Sequence, residues 1–438
     1  MFDKWSSKAE KGQPGGTLVL LELLLVLTAI ATPLAGASTY TVLHTFNGTG
    51  GANPQLGSLI RDAAGNLYGT TSGGGTAGAG VVYKVHATGH ETVLYNFCSQ
   101  TNCTDGAYPY AGVIRDSAGN LYGTTYDGGA GYGVVYKLDN TGKETVLYTF
   151  TGGADGGYPK AGVIRDSAGN LYGTTSGGGH MPGCGNGGPS LGCGVVYKLD
   201  TTGKLTVLYT FSGGADGGDP EAGVTQDSAG NLYGATFLGG SSASFGGYGV
   251  VYKLHTTGKE TVLYTFTGGA DGANPVAGVI LDSSGNLYGT AAGGGNVPGC
   301  GNPGPGCGVV YKLDNTGKET VLYTFTGGTD GATPLAGVIR ESNGNLYGTT
   351  GYGGTGQCSQ FFPFPFGCGV VYKLDTAGKE TVLYTFTDGT DGGVPMAGVI
   401  RDSAGNLYGA TPYGGNSSAS CSLRVAPTGC GVVFKLKP

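Results

Sequence analysis

Three short words recur seven times each along this chain, in a fixed order, and nothing else in the sequence constrains its fold as strongly. Gly-Asn-Leu-Tyr-Gly begins at Gly65, Gly119, Gly169, Gly230, Gly285, Gly344 and Gly405. Gly-Val-Val-Tyr/Phe-Lys begins at Gly80, Gly133, Gly194, Gly249, Gly308, Gly369 and Gly431. Val-Leu-Tyr/His-x-Phe begins at Val42, Val93, Val146, Val207, Val262, Val321 and Val382. The words return every 50 to 62 residues, and the length variation falls between them. Such a period marks an architecture whose unit cannot bury its apolar surface alone and must stack on its neighbours.

Each unit reads as four short strands; in the third they are Ala161–Arg165, Asn170–Thr175, Gly194–Leu199 and Leu205–Phe211. Two connections share the pattern D-x-x-G-[N/K], as in Asp166 to Asn170 and Asp200 to Lys204. The Asp accepts backbone N–H bonds across the turn and the Gly supplies positive φ, so these are tight hairpins of an antiparallel meander. Closure of the stack is read from the two ends of the repeat array. The segment from Thr39 to Phe46 is a fourth-strand word with no unit before it, and Gly431–Leu436 is a third-strand word with no fourth strand after it. The first completes the last unit, which is how a ring closes. The expected fold is all-β: a seven-bladed β-propeller of four-stranded antiparallel blades.

The 93 glycines and 12% charged residues leave little room for amphipathic helices. The net charge of −6, without a basic tract, gives nucleic acid no electrostatic footprint. Lys4, Lys8 and Lys11 precede an apolar run from Leu18 to about Ala31, and Ala35-Gly36-Ala37 supplies a cleavage site. Residues 1–37 are therefore expected to be a signal peptide, or an uncleaved anchor, ahead of a propeller over 38–438. Glu22 inside the apolar run is unusual for a signal peptide, and a prepilin-like leader is the third reading. No other segment approaches the roughly 18 apolar residues a spanning helix needs.

The ten cysteines fall into five near neighbours: Cys98/Cys103, Cys184/Cys193, Cys300/Cys307, Cys358/Cys368 and Cys421/Cys430. Each couple lies within one inter-strand loop, so local disulfides in an oxidising compartment are expected. Zinc is disfavoured, since no C-x-x-C or accompanying His pattern occurs.

In a meander, alternate connections emerge on opposite faces. The D-x-x-G turns share one face; the second-to-third-strand loops and the blade-to-blade loops share the other, with all the cysteines. Variable, stapled loops on one face of a rigid scaffold are where binding sites concentrate. The aromatic binding candidates there are Phe361, Phe362, Phe364 and Phe366 within the Cys358/Cys368 loop, with Tyr126, Tyr248, Tyr352 and Tyr413; Tyr132 and Phe245 are similar. Asp155, Asp216, Asp271 and Asp330, in G-G-x-D-G-x-x-P loops, are the Ca²⁺ candidates, with Asp105 and Asp391 more loosely placed. Asp-Gly is also an ordinary turn dipeptide, and that reading is preferred; no cofactor is otherwise expected. Arg61, Arg115, Arg165, Arg340 and Arg401 end the innermost strands and are expected to pair with nearby Asp side chains or turn carbonyls rather than to hold an anion. No H-E-x-x-H pattern appears, and Asp127, Asp219 and Glu221 are among the few acids that the turns do not absorb.

The words GNLYGTT, GVVYKL and GKETVLYTF resemble the bacterial choice-of-anchor tandem repeat GloVer-containing proteins over essentially residues 39–438, and more distantly NHL-type repeats. The resemblance implies an exported protein and supplies no catalytic residues. The family often carries a C-terminal anchoring signal; this chain ends at Lys437-Pro438, directly after the last strand, so release or retention through the N-terminal segment is expected. The leading functional expectation is a secreted or surface-held, non-enzymatic binding scaffold whose partner is a glycan or a surface protein. A propeller enzyme acting on polysaccharide, glycoside or lactone, and a structural envelope protein, are the alternatives. Two unpaired acids facing one pocket would favour the enzyme, and a flat, filled channel the structural role.

Overall fold

The computed structural model describes residues 38–179, 192–240, 246–298, 300, 306–356, 358, 367–415, 421 and 429–438. The compact unit Ser38–Pro438 carries seven four-stranded antiparallel sheets. We number the blades in chain order, the first spanning residues 60–96, the third 164–210 and the seventh 400–437 with 39–45. Blade 3 runs Ile164–Arg165, Leu171–Thr175, Val195–Leu199 and Leu205–Thr210 from the channel outward.

The ring closes through the N-terminal strand. Thr39–Thr45 pairs antiparallel with Val432–Lys437, from Thr39 opposite Lys437 to Thr45 opposite Val432. Its Tyr40 ring stacks on Tyr384 of blade 6 at 3.8 Å. At its end, Phe46 is fully buried and meets Tyr83 of blade 1 edge-on at 5.0 Å. That last contact is one link of a circuit. Phe97 meets Tyr136, Phe150 meets Tyr197, Phe211 meets Tyr252, Phe266 meets Tyr311, Phe325 meets Tyr372, and Phe386 meets Phe434, all edge-to-face with centroids at 5.0–5.4 Å. Every outer-strand Phe thus buries its edge against the third-strand ring of the next blade, the arrangement the aromatic quadrupole favours. The far end of each third-strand ring lies over the last glycine of Gly-Asn-Leu-Tyr-Gly. A Cβ at Gly69 would stand 2.5 Å from the Tyr83 hydroxyl oxygen, so no larger residue fits that word.

The inner strand is shorter than the sequence implies: two ladder residues in every blade, not five. The segment ahead of it starts at a proline, which has no N–H to give. Its alanine carbonyl goes to the neighbouring blade instead: Thr70 donates to Ala111, Thr124 to Ala161 and Thr174 to Ala222, at 2.7–2.9 Å. The glycine after that alanine packs against its counterpart in the preceding blade; a Cβ at Gly278 would lie 3.1 Å from the Gly223 carbonyl. The inner edge of each sheet is thereby spent on holding blades together around a narrow channel.

The D-x-x-G-N turns are clipped as expected, and more tightly. Asp62 accepts the Asn66 backbone N–H at 2.9 Å, the Asn66 side-chain amide at 2.8 Å and the Tyr68 hydroxyl at 3.0 Å. Desolvation works against its charge, yet these donors, Asn66 foremost, hold the Asp62 carboxyl below the usual range. Among the described residues one of the five arginines, Arg401, meets a turn carboxylate as expected, and all five lie over a tyrosine. Arg115 lies over the ring of Tyr68, Arg165 over Tyr122, Arg340 over Tyr288, Arg401 over Tyr347 and Arg61 over Tyr408, at 5.3–5.8 Å, each reaching back to the preceding blade. Only Arg401 also ion-pairs among the described residues, with Glu341. A planar guanidinium can stack on an aromatic face and still reach a carboxylate from there, as Arg401 does.

Disulfides join Cys98 to Cys103, Cys300 to Cys307, Cys358 to Cys368 and Cys421 to Cys430. Cys193 is also disulfide-bonded; Cys184 lies outside the described residues. These bonds fit an oxidising environment. Among the described residues no helix is long and apolar enough to cross a membrane.

Candidate ligand site at the channel mouth

Blade-to-blade loops and second-to-third-strand loops meet on one face, joined by short bridges such as Ala107 with Asp127 and Ala332 with Tyr352. Each blade-to-blade loop enters the channel through an x-Pro-x turn. The residue before the proline is Asn53, Tyr108, Tyr158, Asp219, Asn274, Thr333 or Val394, and all seven adopt φ between +51° and +58°. That conformation is costly for a non-glycine residue, and most of all for Thr and Val. Tertiary structure holds it. Each of these residues donates its N–H, at 2.7–2.9 Å, to the carbonyl just ahead of the Gly-Val-Val word of the preceding blade, as Tyr158 does to Tyr132 and Thr333 to Cys307. The loops closed by a disulfide or by Tyr132 and Tyr248 thus brace the turns that frame the channel.

The residues after the proline are Gln55, Tyr110, Lys160, Glu221, Val276, Leu335 and Met396. They differ in every blade while their surroundings repeat. Between them lies a cavity of about 340 Å³ lined by the inner segments of all seven blades, in which Lys160 and Glu221 are the charged lining residues. The Lys160 ammonium bonds the Glu221 carboxylate and stands 3.5 Å from an Asp219 oxygen. Burial opposes the Lys160 charge, but Asp219 and Glu221 hold its ammonium above the usual lysine range. Burial first, and Glu221 second, push the Asp219 carboxyl up to about 6, against the pull of Lys160.

Beside this cluster four tyrosines form a continuous wall. Tyr110 packs on Tyr126 at 4.8 Å, Tyr126 on Tyr158 at 5.2 Å, and Tyr158 on Tyr132 at 5.4 Å. All four are half-buried, and Tyr108 next to them is 41% exposed. Such a surface offers ring faces for stacking, with hydroxyls, a lysine and carboxylates at its edge for hydrogen bonds.

Of the aromatic candidates, Tyr126 is therefore central, and Tyr132 joins it. Tyr352 and Tyr413 pack with Met396 around blade 7 on the far side of the mouth. Tyr248, 37% exposed, lies over Gly268 as Tyr132 lies over Gly152. Phe361, Phe362, Phe364, Phe366 and Phe245 lie outside the described residues. Asp155, Asp216, Asp271 and Asp330 each clip a turn: Asp155 accepts the Tyr148 hydroxyl at 3.0 Å, the Thr151 N–H at 2.9 Å and the Thr151 hydroxyl. Asp216, Asp271 and Asp330 repeat the pattern. Among the described residues no three His, Cys, Asp or Glu side chains gather as metal ligands. Sequence reasoning singled out Tyr126, Asp127, Asp219 and Glu221 but missed Tyr108, Tyr110, Tyr158 and Lys160. The signal was the x-Pro-x positions, which vary from unit to unit where everything around them repeats.

The sequence matches the family model described as the Gloeobacter/Verrucomicrobia repeat over residues 32–187 and 179–423. No curated protein sequence matches it. Among solved structures it is similar to virginiamycin B lyase from Staphylococcus aureus, at 12% identity and a TM-score of 0.54, covering 92% of this chain and 99% of that one. A gluconolactonase from Xanthomonas campestris aligns at 15% identity with a TM-score of 0.40, over 71% and 86% of the two chains. At such identity the likeness to the lyase concerns the fold alone.

Proposed function

This chain belongs to the Gloeobacter/Verrucomicrobia repeat family, and from that premise we propose that it is an exported, non-enzymatic binding scaffold that takes a glycan at the channel mouth on its loop face. The observation that carries this reading is the wall Tyr110–Tyr126–Tyr158–Tyr132 beside the Lys160–Glu221–Asp219 cluster. Rings spaced about 5 Å apart present stacking faces to sugar rings, and the charged cluster supplies both donors and acceptors for hydroxyls. The two acids near the cavity are bridged by Lys160 rather than standing as an unpaired acid couple, which favours holding a ligand over hydrolysing it. The open cavity argues against a purely structural role.

The test is a glycan and cell-wall polysaccharide array probed with the oxidised protein, residues 38–438. Hits lost in Tyr126→Ala and Tyr158→Ala, with unchanged melting temperatures, support the reading. A blank array, or hits indifferent to both substitutions, sinks it.

A further inference from the structure

The mouth of the channel has two unlike halves. Going round the ring, Gln55, Tyr110, Lys160 and Glu221 stand in blades 1 to 4, and Val276, Leu335 and Met396 in blades 5 to 7. The seven positions are equivalent by the repeat, so blade geometry does not cause the segregation. In the cavity wall Lys160 and Glu221, of blades 3 and 4, are the charged residues, and Val276 and Leu335 line it from blades 5 and 6. Each half extends outward. The polar half continues into the tyrosine wall, and the apolar half into Met396, Val394, Tyr352 and Tyr413, which share one apolar cluster.

From this we infer that the ligand is amphipathic: a glycoside whose sugar lies against the tyrosine wall and the Lys160 cluster, and whose apolar aglycone lies on the Val276–Leu335–Met396 arc and enters the cavity. The inference rests on the glycan reading above and narrows it. A free polysaccharide would leave the apolar arc facing hydroxyls, with nothing gained by its burial. A purely apolar ligand would strip water from Lys160 and Glu221 without replacing it. An alkyl or aryl glycoside satisfies both halves. Each methylene laid on the arc adds to affinity through buried apolar area.

The experiment is calorimetric titration of residues 38–438 with matched methyl, phenyl and n-octyl β-glycosides of glucose, galactose, mannose and N-acetylglucosamine, the octyl series below its micellar concentration. The expected result is that at least one sugar binds tenfold or more tightly as its octyl or phenyl glycoside than as its methyl glycoside. That gain should vanish in Leu335→Asn and in Met396→Gln, while Tyr126→Ala weakens both members of a pair alike. An advantage for octyl over phenyl points to a lipid-linked sugar, and the reverse to an aryl glycoside; either supports the inference. Equal affinity for methyl and octyl glycosides overturns it and leaves the glycan reading standing. An octyl gain untouched by both arc substitutions also overturns it. Silence in every series together with a blank polysaccharide array overturns both.

Discussion

Asn274 donates its side-chain amide to the carbonyl of Phe237 at 2.9 Å, across the junction of blades 4 and 5. Asn53 does the same to Pro412 at 3.0 Å, across the junction of blades 7 and 1. These are the two junctions where the second strand carries Ala235 or Ala410 in place of the threonine that elsewhere bonds the next blade. The lost threonine bond is replaced by an asparagine bond from the other side. Asn274→Ala is therefore expected to cost about 1–2 kcal/mol, as a buried amide bond does when one partner is removed. Adding Ala235→Thr should recover most of it. Urea denaturation of the two single variants and the double variant measures the recovery.

Ring closure depends on the N-terminal strand more than its length implies. Tyr40 stacks on Tyr384 and donates its hydroxyl to the Asp391 carbonyl at 2.5 Å. Tyr40→Ala should destabilise by about 3 kcal/mol, in the range for truncating a packed aromatic. Deleting Thr39 to Phe46 should expose the edge of Val432–Lys437 and give aggregates on size-exclusion chromatography.

Four outer-strand glutamates make stability fall as pH rises. Desolvation, and then Asp105, Asp216, Asp271 and Asp330 respectively, push Glu144, Glu260, Glu319 and Glu380 from 4.5 up to about 7. A carboxyl whose folded pKa is raised is neutral in both states below 4.5 and costs nothing there. It is charged only in the unfolded state between 4.5 and 7, so stability falls across that window and is level above it. Glu319→Gln should leave the melting temperature unchanged at pH 4 and raise it at pH 8. A gain of equal size at both values would mean that charge is not the cause.

Lys160 restrains Asp219. Lys160→Ala should move the Asp219 carboxyl midpoint above about 6, because it removes the charge that opposes burial and Glu221. Carbon-detected NMR titration of the side-chain carboxyls reads this directly. The same variant should lose glycan binding.

The third-strand tyrosines make a contrasting case. Tyr136 is fully buried, and its hydroxyl makes no hydrogen bond within the protein. Blade 7 carries Phe434 at that position. Tyr136→Phe should change stability by less than about 0.5 kcal/mol, since no protein hydrogen bond is given up.

Much of the fold was legible because it is periodic. Leu-Tyr-Gly and Val-Val-Tyr alternate at strand spacing, Asp and Gly punctuate them at fixed offsets, and the split repeat at Thr39 and Leu436 states the closure. The inner strand is shorter than its pattern implies because its backbone groups bond to another blade, a relation between residues some 40 apart such as Thr124 and Ala161. The stacking of the arginines is hidden from the sequence for the same reason: their tyrosine partners belong to the unit before.

The blade, its turns, the number of blades and the closing strand are written in the sequence, because those rest on local hydrogen bonding and on a period the chain repeats seven times. The candidate site rests on neither. Tyr110, Tyr126, Tyr158, Lys160, Asp219 and Glu221 come from different units and stand together only because radial stacking turns equivalent positions into neighbours around one channel. That juxtaposition is a property of the closed ring and is carried by no single unit of the chain.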